Sequence, residues 1–121
     1  MKVLTSTTID LRKELIGIFK KHIGEQRGIG IQEILDNLYP ENRRWNFWKQ
    51  LGYREIIKKA IIKLRCDYGI LIISRGNLYF IPKEQHEVDY YKNTLKRNIK
   101  SMKKSINKAD NWIIEEKWKK L

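Results

Sequence analysis

Side chains of the types that most often perform catalysis are few and scattered along this chain. Its single cysteine, Cys66, has no second cysteine for a disulfide or a zinc site, and His22 and His86 stand outside any ligand motif. Gly28-Ile29-Gly30 lacks the third glycine and the preceding strand of a dinucleotide-binding loop. No paired carboxylates and no nucleophile beside a base are recognisable. We therefore expect no enzymatic activity, no metal and no cofactor.

Positive charge is the chemical property that this sequence supplies most abundantly. The 121 residues include 26 lysines and arginines against 14 acidic residues, which gives a formal net charge of +12 at pH 7. The field of such a chain attracts polyanions, and nucleic acid is the leading candidate. No apolar run approaches the roughly 18 to 20 residues that a membrane-spanning helix needs, and no secretory signal is recognisable. We expect a cytoplasmic protein without membrane contact.

The basic residues best suited to contact double-stranded DNA belong to one predicted helix and the turn that follows it. Apolar residues spaced by three and four predict this helix between Tyr53 and Tyr68, with Gly69 as its stop. The expected DNA contacts, on its other side and at a hairpin tip, are Arg54, Lys58, Lys59, Lys63 and Arg75. Positions near the helix start would approach base edges, and the lysines would neutralise phosphates. The alternative is a hydrated surface, since Glu55 and Lys59 also form an ordinary i, i+4 pair.

Other elements must position that helix. A capping-box spacing that begins at Thr7 predicts a first helix over about residues 8–23. One short strand is expected near Ile29. An apolar stripe with intervals of three and four predicts a second helix over about residues 31–39, ended by Pro40.

The segment after Pro40 is rich in aromatic and basic residues. Trp45 and Trp48 are three residues apart, as on a helix, and Gly52 would close a short helix here. Tryptophan and arginine are typical anchors of protein interfaces. The candidate partner surface consists of Arg43, Arg44, Trp45 and Trp48. Burial in the core is the favoured alternative for the two tryptophans, and Trp112 and Trp118 raise the same two possibilities.

A β-hairpin is predicted next. The runs Ile70-Leu71-Ile72-Ile73 and Leu78-Tyr79-Phe80-Ile81 are β-branched and aromatic, and they flank Ser74-Arg75-Gly76-Asn77, which has the composition of a hairpin turn. Pro82 ends the second strand.

The chain is predicted to end in a long, basic, amphipathic helix from about Lys83. Its apolar stripe runs from Val88 to Ile113 and is longer than one small domain can cover, which favours a homodimer. The basic residues of this helix between positions 92 and 108, where no acidic residue occurs, are Lys92, Lys96, Arg97, Lys100, Lys103, Lys104 and Lys108. Their mutual repulsion indicates phosphate contacts, an acidic protein partner, or hydration on the outer face of a coiled coil.

The order helix, short strand, helix, helix, hairpin resembles the winged helix-turn-helix superfamily over about residues 8–82. More narrowly, Ile61-Ile62-Lys63-Leu64-Arg65, Gly69-Ile70-Leu71-Ile72 and Gly76-Asn77-Leu78-Tyr79-Phe80-Ile81-Pro82 are similar to small winged-helix proteins of phages and prophages. The acidic and then basic helix that follows extends this likeness to about residues 53–108. The aromatic segment between Pro40 and Leu51 is longer than the usual helix-turn-helix connection. The resemblance implies that the helix before the hairpin enters the major groove.

Together these observations predict an α+β fold, mostly α with a small β-hairpin, of winged helix-turn-helix type with a long C-terminal helix. Residues 1–82 would form the winged-helix domain and residues 83–121 the basic helix for dimerisation or partner binding. The expected function is a phage or mobile-element regulator of transcription or replication that binds double-stranded DNA. A protein-binding module that inhibits or adapts an acidic host protein is the alternative, and RNA binding or general compaction through charge is the weakest possibility.

Overall fold

Helices make up most of the structure, a computed structural model that describes residues 10–112. The helices in this range are α1 (Leu11–Phe19), α2 (Ile31–Leu38), α3 (Phe47–Asp67) and α4 (Gln85–Asp110). The strands are β1 (Ile29–Gly30), β2 (Ile73–Arg75) and β3 (Leu78–Phe80), and short 3-10 turns lie at Glu25–Arg27 and Pro40–Arg44. The predicted α+β class is confirmed, with a small antiparallel sheet beside the helices. Among the described residues, none of the helices combines the length and apolar character needed to cross a bilayer.

The sheet has the strand order β1-β3-β2, so the strand from before α2 pairs with the second strand of the hairpin. Ile29 lies opposite Tyr79, and Ile73 lies opposite Phe80. Gly76 has φ 63° at the first position of the two-residue turn, and Asn77 has no positive φ, which is the pattern of a type II′ turn. The hairpin is therefore confirmed, although its first strand begins at Ile73 because residues 70–72 lead into the sheet without pairing.

Helix α1 is shorter than the sequence predicts. Asp10 is its N-cap, and a carboxylate oxygen of Asp10 accepts the backbone N–H of Lys13 at 3.3 Å. The proposed cap Thr7 lies outside the described residues. The helix ends at Phe19 because the following backbone pairs elsewhere: the N–H of Ile81 donates to the carbonyl of His22 at 3.1 Å, and that of Gly24 donates to the carbonyl of Ile81 at 2.7 Å.

Helix α3 replaces two predicted helices with one of 21 residues, so the expected break at Gly52 is wrong. The side-chain oxygen of Asn46 accepts the N–H of Lys49 at 2.9 Å and starts the helix before the aromatic segment ends. Gly52 lies inside the helix without a positive φ, whereas Gly69 adopts φ 66° beyond the end of the helix, as predicted.

The hydrophobic core lies where α1, α2 and α3 meet the sheet. Its buried side chains are Leu15, Phe19, Ile29, Ile34, Leu35, Leu38, Tyr39, Ile57, Ile61, Leu64 and Ile72. The members from α2 and α3, and Leu15 of α1, belong to the helical stripes that the sequence predicts, since residues three and four apart share one face of a helix. Core packing therefore uses one side of α3 and leaves the opposite side in solvent.

The chain divides into two compact units, the first ending at Glu87 and the second beginning at Val88. The first unit thus includes the start of α4. In that first turn the carboxylate of Glu87 accepts the backbone N–H groups of Lys83 at 2.7 Å and Glu84 at 2.8 Å, and that of Glu25. A side chain at the third helical position that accepts the backbone N–H of the residue before the helix is one half of a capping box. Only 5% of Glu87 is exposed.

Candidate nucleic-acid interface

The solvent side of α3 carries two lysines that are free to contact a ligand. Lys59 and Lys63 are exposed and have no hydrogen bond or ion pair with the part of the chain that the structure describes. Lys58 lies partly buried, and its Nζ is 3.3 Å from a carboxylate oxygen of Glu55. Exposed ion pairs of this kind are weak, so Lys58 can exchange Glu55 for another anion at small cost.

Arg54 is placed differently from the three lysines. Its guanidinium donates to the side-chain oxygen of Gln32 on α2, and its Nε is buried with no hydrogen-bond partner among the described residues. Of the basic residues that the sequence groups on this helix, Arg54 therefore lies against α2, whereas Lys59 and Lys63 project into solvent.

A polar network that the sequence prediction missed joins α2 to the turn before α3. Asn42 is completely buried, and its amide nitrogen donates to Asp36 and to the carbonyl of Tyr39, both at 2.8 Å. Arg43 donates two further hydrogen bonds to Asp36 at 2.9 and 3.2 Å, and Gln32 donates a fourth at 2.9 Å. The hydrogen bond from Arg43 is the main cause that holds the pKa of Asp36 below its usual value. The available signal was the i, i+4 spacing of Gln32 and Asp36 on α2.

The network also reaches the first turn of α3. The side-chain nitrogen of Gln50 donates to the backbone carbonyl of Asn42 at 2.8 Å. With the Arg54–Gln32 contact, it connects α3 at two points to α2 and the turn. Because a buried polar group that loses its partner is costly, these contacts restrict how α3 can tilt against α2.

The two tryptophans of the aromatic segment have different surroundings. Trp45 precedes α3 and is partly buried, with its ring centroid 5.5 Å from that of Tyr39 and 4.6 Å from that of Tyr53. Trp48 is 75% exposed on the first turn of α3, and its ring meets that of Phe47, 63% exposed, at 5.2 Å. The prediction of one helix that carries both tryptophans is wrong, because the Asn46 cap lies between them.

The arginines of that segment also differ from each other. Arg43 is bound to Asp36, whereas Arg44 is exposed at the end of the 3-10 turn. Four residues were predicted as a partner surface. Of these, Arg44 and Trp48 are exposed and have no hydrogen bond, ion pair or ring contact with another element in the described part of the chain.

Arg75 is the last residue of β2 and lies beside the hairpin turn, as predicted. Its guanidinium is 3.1 Å from a carboxylate oxygen of Glu25, and both side chains are well exposed. A pair this exposed contributes little to the stability of the fold.

The part of α4 within the second unit has a basic side and an apolar stripe, both in solvent. The exposed basic residues are Lys92, Lys96, Arg97, Lys100, Lys103, Lys104 and Lys108. Along the stripe, Leu95 is 41%, Ile99 49%, Met102 58% and Ile106 59% exposed. Ile113, the predicted end of the stripe, and Trp118 lie outside the described residues, whereas Trp112 is 48% exposed.

Within residues 10–112 no group of three or more His, Cys, Asp or Glu side chains is arranged to hold a metal ion. Comparison of the chain with models of known protein families, with curated proteins and with solved structures gives no match.

Proposed function

We propose that this protein binds double-stranded DNA as a winged-helix protein, with α3 presented to the major groove and the β2–β3 hairpin as the wing. The element order α1, β1, α2, α3, β2, β3 and the sheet order β1-β3-β2 support this proposal. In such an arrangement the helix before the hairpin is the recognition helix. The resemblance to small phage and prophage proteins suggests a regulator of transcription or replication.

The observation that carries the proposal is the free basic side of α3. Lys59 and Lys63 have no partner among residues 10–112, and Lys58 has only an exposed one there. Arg75 lies at the tip of the neighbouring hairpin. In a protein with a net charge of +12, these lysines are available to neutralise phosphates of a duplex, and Arg75 would add a positive charge from the hairpin. Arg54 has a positioning role in this scheme, since it binds Gln32 on α2.

The proposal includes a homodimer formed through the apolar stripe of α4. The helix has 26 residues, a length of about 39 Å at 1.5 Å per residue. In the part of α4 that belongs to the second unit of the chain, four large apolar side chains are 41% to 59% exposed. Burying them against a second copy removes apolar surface from water. A two-fold dimer would suit a DNA site with two half-sites about one helical turn apart.

Fluorescence anisotropy tests DNA binding directly. Labelled duplex from the upstream region of the gene and labelled random duplex are each titrated at low and near-physiological salt. We expect binding to both at low salt and a retained preference for the upstream duplex at higher salt. Binding that disappears with salt for both duplexes would indicate charge-driven association without sequence selection, and no binding at low salt would refute the proposal.

A protein-binding module is the second candidate, and the exposure of Phe47 and Trp48 favours it. Aromatic side chains are enriched where proteins bind one another. This aromatic pair would be the anchor for a host protein. A stoichiometric complex with a purified host protein that excess duplex DNA does not disrupt would establish this function.

A further inference from the structure

The first two turns of α3 present apolar groups to solvent. Trp48 is 75%, Phe47 63% and Leu51 37% exposed. Leu51 and Gly52 follow Trp48 by three and four residues, so Trp48, Leu51 and Gly52 are neighbours on the side of α3 that points away from the core.

Four polar side chains of the same region have partners within the fold. Gln50 donates to the carbonyl of Asn42, and Arg54 donates to Gln32. The ammonium of Lys49 lies 4.5 Å from the centroid of the Trp45 ring. Arg43, which precedes the helix, is bound to Asp36. A ligand that approaches the first turn of α3 therefore meets indole, phenyl and isobutyl groups, and the exposed guanidinium of Arg44 lies in the turn before them.

Gly52 adds a second feature to this face. A Cβ atom built there would meet no heavy atom within 4 Å, so packing among the described residues does not require a glycine. Glycine is unfavourable inside a helix, and it permits close approach of the backbone to a ligand. Trp48, Gly52 and Lys59 lie on one helical face, which joins the apolar end to a free lysine two turns later.

These observations indicate how the start of α3 would recognise bases, an inference that rests on the proposed DNA binding. Residues near the start of a recognition helix contact base edges, and the apolar group that bases present in the major groove is the C5-methyl group of thymine. We infer that Trp48 and Leu51 recognise thymine methyl groups, with Gly52 letting the helix backbone approach the groove. The occupant is duplex DNA because Lys59 and Lys63 on this side are positive and have no partner among the described residues, whereas the acidic Glu55 is paired with Lys58.

Replacement of thymine by uracil tests this inference, since uracil lacks only the methyl group. Duplexes are first selected from a randomised pool by the wild-type protein, and each thymine of the selected site is then replaced by uracil in turn. We expect one or more thymines at which replacement weakens binding about fourfold, which corresponds to the ~0.8 kcal/mol of one buried methyl group.

Two variants assign the effect to the residues named. The double variant Trp48→Ala/Leu51→Ala should bind thymine and uracil duplexes equally, whereas Trp112→Ala, which removes another exposed tryptophan, should retain the fourfold difference. Circular dichroism checks that both variants fold. Duplex binding without any thymine preference, or a preference that survives in Trp48→Ala/Leu51→Ala, overturns the inference and leaves the proposed function standing. Absence of all duplex binding overturns both, and directs the aromatic pair to a protein partner.

Discussion

The carboxylate of Glu87 in the first turn of α4 accepts the backbone N–H of Glu25, a residue 62 positions earlier in the chain. Burial raises the pKa of Glu87, but the three backbone N–H groups that donate to it outweigh burial, and its pKa lies below the usual value of 4.5. The ionised form is therefore the one that the fold stabilises.

The free energy of unfolding should depend on the ionisation of Glu87. Because its pKa is lowered in the folded state, its contribution is complete above pH 4.5 and is lost as the pH falls through the lowered folded-state value. Glu87→Gln should cost about 1.5–3 kcal/mol at neutral pH, the range for hydrogen bonds to a charged group. Urea denaturation between about pH 6 and pH 3 measures this, and the variant should lose less stability on acidification than the wild type.

Glu84→Gln is the matched control, since Glu84 is exposed and one turn away. Its effect should stay within about 0.5 kcal/mol. Equal acid sensitivity of the wild type and Glu87→Gln would show that other carboxylates dominate the pH dependence.

The buried amide of Asn42 should be important for the attachment of α3. Asn42→Ala removes three side-chain hydrogen bonds, which join Asn42 to Asp36, Tyr39 and Gln32 at a site with no exposure. We expect a loss of about 1–3 kcal/mol in the free energy of unfolding, measured in urea. Asn37→Ala, at an exposed position of α2, should change it by less than about 0.5 kcal/mol. Similar losses in both variants would contradict this account.

The two free lysines of α3 should each account for about one phosphate contact. Lys59→Ala and Lys63→Ala are each expected to reduce the slope of log K against log salt by about 0.9. Lys13→Ala, which removes an exposed lysine from α1, should leave the slope unchanged. Anisotropy titrations over a series of salt concentrations give the slopes. Unchanged slopes for both α3 variants would remove this side of the helix from the interface.

The stripe of α4 should hold two copies together. Ile99→Asp places a charge where Ile99 is 49% exposed in the single chain, and we expect the variant to be monomeric because the charge would have to be desolvated in the dimer. Sedimentation equilibrium measures the mass of each species. Ser101→Asp introduces the same charge off the stripe and should remain dimeric. A monomeric wild type at high concentration would disprove this arrangement.

Gly52→Ala should separate stability from binding. Alanine in place of an unconstrained helical glycine is expected to raise the free energy of unfolding by about 0.5–1 kcal/mol. The added methyl group should nevertheless weaken binding to DNA, because it stands between the helix backbone and the groove. Gly17→Ala is the control: a Cβ at Gly17 in α1 also meets nothing within 4 Å, so it should stabilise the fold without changing affinity. Unchanged affinity in Gly52→Ala would count against a close approach at that residue.

Local rules sufficed for the parts of this protein in which neighbours along the chain decide the structure. The stripe of α2, the stop at Gly69 and the turn at Gly76 were predictable because helical spacing and positive φ are properties of a few consecutive residues. Net charge and the lysines of α3 likewise follow from the sequence alone.

Tertiary structure decided the features that depend on distant residues. Gly52 stays helical because the Asn46 cap and the buried face of Ile57, Ile61 and Leu64 stabilise α3 on both sides of it. Trp45 packs against Tyr39 and Tyr53 while Trp48 remains in solvent. The partners of Arg54 and Glu87 lie on other elements. The sequence offers several possible partners for each of these two side chains. Only the packed fold brings one partner within hydrogen-bonding distance and excludes the water that would otherwise compete for the side chain.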